Sequence, residues 1–122
     1  MKPSSVQVVY NSEWGCIVNT ISGTITQEVA SEAANKIAQL AKLHNCIRCL
    51  NDVREATSQL SITNLYYLPD KVAELGVGRS MKRAILVKER FEESSFYEDT
   101  TANKGIRVKV FTDLDEALNW LH

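Results

Sequence analysis

Residues 81–122 decide the fold. They read Met81-Lys82-Arg83-Ala84-Ile85-Leu86-Val87, then Lys88-Glu89-Arg90 and a polar stretch to Asn103-Lys104-Gly105, then Ile106-Arg107-Val108-Lys109-Val110-Phe111, and last Thr112-Asp113-Leu114-Asp115-Glu116-Ala117-Leu118-Asn119-Trp120-Leu121-His122. The order is strand, helix, glycine stop, strand, capped helix. The apolar run Ala84-Ile85-Leu86-Val87 needs cover on both faces and predicts a central strand over 81–87. A shorter helix follows over 94–103, and Gly105 suits the left-handed residue after its end. Ile106, Val108 and Val110 alternate with charges as a strand does. Thr112 or Asp113 then caps the final helix, with Asp115 or Glu116 as capping partner, and Leu114, Ala117, Leu118 and Leu121 form its buried stripe.

Working outward, Val6, Val8 and Tyr10 alternate with polar neighbours, Asn11-Ser12-Glu13 is turn chemistry, and 14–21 is a second β-rich run, so an antiparallel hairpin opens the chain. Ser22-Gly23 is expected to break it. Thr24 or Thr26 can cap a helix whose Val29, Ala33, Ile37, Leu40 and Ala41 recur at helical spacing to Asn45, with His44 expected as its C-terminal cap partner. Residues 46–53 form a short strand, and Asp52, Arg54 and Glu55 mark its exit. Ser61 can cap a further helix in which Ile62, Leu65, Leu68, Val72 and Leu75 share a face, with Pro69 inside it. Strands separated by helices run parallel, so the prediction is α/β, a mixed five-stranded sheet with about four helices, in one domain spanning 1–122.

The chain has 122 residues, 44% hydrophobic and 24% charged, which is ample for a core without metal or disulfide staples. Fourteen Lys and Arg against fifteen Asp and Glu give a net charge of -1, so no global field draws it to nucleic acid or anionic lipid. No apolar stretch approaches the roughly 18 residues of a spanning helix, and a cytoplasmic protein is expected. Three cysteines fit reduced, buried thiols in that compartment. Cys46 and Cys49 have the C-x-x-C spacing, but residues three apart on a strand face opposite ways, which disfavours a disulfide or a shared metal.

The element order and its text together resemble the STAS-like fold and, within it, the stage II sporulation protein AA-like family of small bacterial proteins. The residues that carry the resemblance are Gly23, Leu50-Asn51-Asp52-Val53-Arg54-Glu55, Tyr66 with Leu68-Pro69, Asn103-Lys104-Gly105, Val110-Phe111-Thr112-Asp113 and Ala117-Leu118-Asn119-Trp120-Leu121. It implies helices packed with the sheet as a β-α superhelix. It also implies a relation to anti-sigma factor antagonists, cytosolic domains of anion transporters and sensor modules. In the antagonists a regulatory serine in an Asp-Ser-Ser-Gly motif opens the helix after the third strand. Here that region reads Arg54-Glu55-Ala56-Thr57-Ser58-Gln59-Leu60-Ser61, and the motif is missing.

Three groups of residues are candidates for function. Asp52 and Arg54, Lys88 to Arg90, and Thr112-Asp113 leave parallel strands at their carboxyl ends, the edge where open α/β sheets bind ligands. The competing reading has Asp52 and Arg54 pinning a loop and Asp113 serving its own helix. Ser58, Ser61 and Thr63 sit where a phosphate would meet a helix N-terminus, which makes Ser58 and Ser61 candidate phosphorylation sites, although capping alone explains them. Tyr66, Tyr67 and Leu68 make their helix apolar all round, which suits core packing, a protein interface, a homodimer contact, or a pocket for a small apolar ligand. Trp14 can extend that surface.

No nucleophile elbow, phosphate-binding glycine loop or metal spacing occurs, and two histidines leave little for acid-base work. No cofactor, metal or catalytic residue is expected. The sequence therefore favours a non-catalytic regulatory or protein-interaction module. A carrier or sensor of a small apolar ligand or lipid with peripheral membrane contact is the alternative, and an enzyme comes third.

Overall fold

The structure, a computed structural model, describes residues 4–58, 73–74 and 80–122. Strands β1 (Ser5–Asn11) and β2 (Cys16–Ile25) form the expected antiparallel hairpin, in register from Ser5 opposite Ser22 to Asn11 opposite Cys16. Asn11 closes the turn: its side-chain oxygen accepts the Trp14 N–H at 3.0 Å and its carbonyl accepts the Gly15 N–H at 2.9 Å. Helix α1 (Gln27–His44) begins under Thr26, whose hydroxyl accepts the Val29 N–H at 3.2 Å. It ends at Asn45 in the left-handed conformation (φ 50, ψ 48), which asparagine tolerates better than other side chains. Asn45, not His44, is thus the cap. His44 instead stacks on Tyr10, with centroids 4.1 Å apart and rings within 7° of parallel, and so ties α1 to β1.

Then come β3 (Arg48–Ser58), β4 (Lys82–Leu86), α2 (Glu92–Asn103), β5 (Arg107–Phe111) and α3 (Leu114–Leu121). The strands lie in the order β1-β2-β3-β4-β5, and β2 to β5 are parallel to one another. This is the mixed five-stranded α/β sheet the sequence implied. Three helices are described. The helix expected from Ser61 lies outside the described residues apart from Ala73 and Glu74, which are helical.

Alternation along the strands divides the core between the two faces of the sheet. Ile17 and Cys49 pack with Ala34 and Ile37 of α1, and with Val8 and Tyr10 of β1. Val108 and Ile85 pack with Tyr97 and Phe96 of α2. On the opposite face Cys16, Leu50, Ala84, Leu86 and Phe111 enclose Ala117 and Leu121 of α3. The final helix is fastened at both ends. The Asp113 carboxylate accepts the Glu116 N–H at 3.0 Å, while Arg48 Nε donates to the Leu121 carbonyl at 2.9 Å and Lys82 Nζ to the Trp120 carbonyl. These cations meet the negative end of the helix dipole, and Lys82 also lies 4.5 Å from the centre of the Trp120 ring.

Two strand boundaries differ from expectation for one reason. β2 does not break at Ser22-Gly23, and β3 does not end at Val53; the two strands continue side by side, Gly23 opposite Ala56 and Ile25 opposite Ser58. A register shift, in which Asp52 to Glu55 of β3 spans one residue more than Thr20 to Ser22 of β2, and a positive φ of 85 at Gly23 let the two strands bend without losing each other. β4 stops at Leu86, opposite Asp52, so this extension is a two-stranded ribbon with polar side chains tolerated on exposed faces. Residues that look like an exit are therefore strand residues. In the same way α2 starts at Glu92, ahead of the expected Ser94.

Cys46 lies before β3, so strand alternation does not separate it from Cys49, and both belong to one apolar cluster. All three thiols are free and buried. Burial pushes the Cys16 thiol up to about 11 and the Cys49 thiol up to about 12. Since the thiolate is the reactive form, both should be inert at neutral pH. Maleimide labelling followed by mass spectrometry is expected to modify Cys16 and Cys49 at least 100-fold more slowly in native than in denatured protein. Labelling of either at the denatured rate would contradict their burial.

Candidate functional site at the carboxyl edge of the sheet

The candidate residues at the carboxyl edge do not form one converging set. Asp52 and Arg54, two apart on β3, project from the same face and close a side-on fork: Nε to Oδ1 at 3.0 Å and Nη2 to Oδ2 at 2.8 Å. The Arg54 backbone N–H adds a bond to Oδ1 at 3.2 Å. The Arg54 hydrogen bonds hold the Asp52 carboxyl below its ordinary range, against the opposing effect of burial. Lys88, just past β4, reaches Glu55 at 3.7 Å, and both side chains are more than 70% exposed. Asp52, Arg54, Glu55 and Lys88 thus share the step between β3 and the end of β4.

Arg90 turns the other way. Its guanidinium donates to Glu98 at 2.5 Å, to the Val110 carbonyl at 2.9 Å and to Ser95 Oγ at 3.2 Å. The second Glu98 oxygen accepts the Val110 N–H at 2.7 Å. Arg90 and Glu98 therefore join the loop after β4, helix α2 and strand β5 into one unit. Asp113 caps α3, as the competing reading held.

Ser58 is not at a helix N-terminus; it is the last residue of β3, opposite Ile25. Ser61, Tyr66, Tyr67 and Leu68 lie outside the described residues. Trp14 packs on the α3 face of the core and borders a shallow groove of about 220 Å³ with Glu13, Leu118, Asn119 and His122. That groove lies at the amino edge of the sheet, where the His122 ring meets the Trp14 carbonyl at 2.6 Å.

Reading the sequence missed Glu55 and Glu98, the acids that decide where Lys88 and Arg90 go. No local pattern marks either one: Glu55 meets Lys88 from another strand, and Glu98 meets Arg90 across the loop that precedes α2. Among the described residues, no three His, Cys, Asp or Glu side chains come together as a metal site. None of the described helices is long and apolar enough to cross a membrane.

No family model matches the sequence, and no curated protein matches it. Ten solved chains match its structure. One is an uncharacterised DUF3478-family protein with a SpoIIAA-like fold from Shewanella loihica PV-4, at a TM-score of 0.63 and 19% identity over 98% of this chain and 93% of that one. Another is an anti-sigma factor antagonist from Mycobacterium paratuberculosis, at a TM-score of 0.59 and 16% identity over 98% of this chain and 94% of that one. The fold is STAS-like, of the SpoIIAA-like kind.

Proposed function

We propose that this chain is a non-catalytic regulatory module of the cytoplasm that docks another protein at the carboxyl edge of its sheet, on the surface formed by Asp52, Arg54, Glu55 and Lys88. One observation carries the proposal. Of the charged groups at this edge, Arg90 and Asp113 are bound up in holding α2 and α3, whereas Lys88 and Glu55 meet at 3.7 Å in nearly full exposure. Such an exposed pair adds little to stability, so its side chains are available to re-pair across an interface. The adjoining Asp52–Arg54 fork keeps its shape and offers a fixed charged rim. Likeness to a protein described as an anti-sigma factor antagonist supports a protein partner.

Charge reversal at Lys88 tests this. Lys88→Glu is expected to reduce capture of the cellular partner at least about tenfold, equivalent to roughly 1.4 kcal/mol, while moving the thermal midpoint by no more than about 2 °C. Lys36→Glu, on α1 in an exposed pair with Glu32, is the control and should capture normally. Undiminished capture by Lys88→Glu would overturn the proposed surface. Native mass spectrometry of the captured species separates a foreign partner from a second copy of this chain.

A further inference from the structure

The sheet ends in two edge strands, β1 and β5, and the chain treats them differently. At β5 and just before it the outward backbone groups are taken. The Thr101 carbonyl accepts the Ile106 N–H at 2.9 Å, Glu98 accepts the Val110 N–H at 2.7 Å, and Arg90 donates to the Val110 carbonyl at 2.9 Å. β5 also carries the exposed cations Arg107 and Lys109. Covered backbone and charged side chains are what keep an edge strand from pairing with another chain.

β1 has neither device. Its residues, Ser5-Val6-Gln7-Val8-Val9-Tyr10-Asn11, include no charge, no proline and no glycine. Every second residue of an outer strand turns its N–H and C=O away from the sheet, and among the described residues no hydrogen bond meets β1 from that side. The chain between β3 and β4 leaves and rejoins the sheet two and three strands away from this edge. A β-prone, uncharged segment on an open edge is an association hazard unless something pairs with it. We propose that β1 pairs antiparallel with β1 of a second copy of this chain, in a two-fold dimer that joins the two five-stranded sheets into one.

Strand addition by a foreign peptide draws its selectivity from pockets and charges beside the edge, and β1 supplies no charge. Self-pairing needs none. A two-fold axis through Val8 sets Val6 of one copy opposite Tyr10 of the other and Gln7 opposite Val9, so the row of Val8 and Tyr10 under α1 continues across the axis. The same operation on β5 would set Arg107 against Lys109, like charge against like. The closed β5 edge also ends the assembly. A contact from β1 to β5 would repeat without limit, whereas the β1-to-β1 contact leaves a protected β5 at each end. Seven residues a side make an interface at the small end of the stable range, so the dimer should dissociate on dilution. β1 lies three strands from β4, which Lys88 follows, and dimerisation does not rest on docking there.

The test is sedimentation velocity of the full chain from about 1 to 300 µM, with hydrogen–deuterium exchange at both ends of that range. The expected result is a monomer–dimer equilibrium in which outward β1 amides exchange at least about tenfold more slowly at the higher concentration and β5 amides are unchanged. Val9 is 46% exposed, so Val9→Lys should fold, with the thermal midpoint of the dilute monomer within about 2 °C of the wild type and dimerisation at least about tenfold weaker. Gln7→Lys provides the same comparison if Val9→Lys does not fold. Lys88→Glu should dimerise as the wild type does, which separates this contact from the docking surface. The proposal is overturned if the chain is monomeric throughout, if the dimer survives the lysine variants unweakened, if the protection gained on dimerisation falls outside β1, or if β1 is protected only when a foreign protein is bound.

Discussion

Leu50→Ala is expected to destabilise the protein by about 3 kcal/mol, within the 2–5 kcal/mol range of such truncations in closed cores. Leu50 is 1% exposed near the start of β3, the central strand, and belongs to the cluster that joins β2, β4 and β5 to α3. Its removal would leave a cavity bordered by Leu86, Phe111 and Leu121, which belong to three elements and are not free to close it together. Against a typical total of about 5–15 kcal/mol the loss is large, and the thermal midpoint should fall by roughly 10 °C. Val9→Ala is the contrast. Val9 is 46% exposed on β1, so its truncation should cost less than about 1 kcal/mol in the same denaturant titration. Equal losses at the two positions would contradict the burial of Leu50 in the core cluster on the α3 face.

The second large effect belongs to Glu98. Glu98→Ala removes the acceptor of the Val110 N–H and the main partner of Arg90 together, and is expected to cost about 2 kcal/mol. Glu98→Gln keeps an acceptor for Val110 and should cost about half as much. The pH dependence separates charge from shape. Burial, the largest single influence on Glu98, pushes its carboxyl up; the Arg90 and Val110 hydrogen bonds with the charges of Arg90 and Lys109 outweigh it, and the carboxyl is held below its usual value. A group depressed in the folded state stabilises the protein above its unfolded pKa, about 4.3 for glutamate, and that contribution disappears as pH falls through the folded value. Asp52 acts in the same direction below about 3.9. Between pH 7 and pH 3 the wild type should therefore lose more stability than Glu98→Gln, as followed by thermal midpoints. Parallel curves for the two proteins would show that the Arg90–Glu98 pair contributes nothing through charge.

These effects also show which parts of the structure could be read in the residues. β4, β5 and the capped α3 were legible because their signals are local: an apolar run, a two-residue alternation, a glycine at φ 73 and an aspartate at a helix start. The length of β3 was not. Asp52, Arg54 and Glu55 look like an exit, yet Asp52 still lies opposite Leu86 at the end of β4, and the strand continues past it only because β2 runs on after β4 has stopped. At the candidate edge, the spacing of Lys88, Glu89 and Arg90 cannot say which side chain turns inward. That choice is made by Glu98, across the loop on α2, and by Glu55, far back on β3. Arg83 was open to view within a strand that reads as apolar. Two-residue alternation sets it on the face opposite Ala84 and Leu86, but only the three-dimensional arrangement shows it buried with no ion-pair partner among the described residues.

The proposed regulatory role depends on a protein partner docking at the carboxyl edge of this sheet. Site-specific photocrosslinking in the native cell addresses that directly, with the photoreactive residue placed at position 88 and, separately, at position 36 on the outer face of α1. The expected result is one discrete heteromeric adduct from position 88, lost when Glu55 is changed to Lys, and none from position 36. Adducts of equal yield from both positions, or none from position 88 under conditions where the partner is present, would contradict docking at the carboxyl edge.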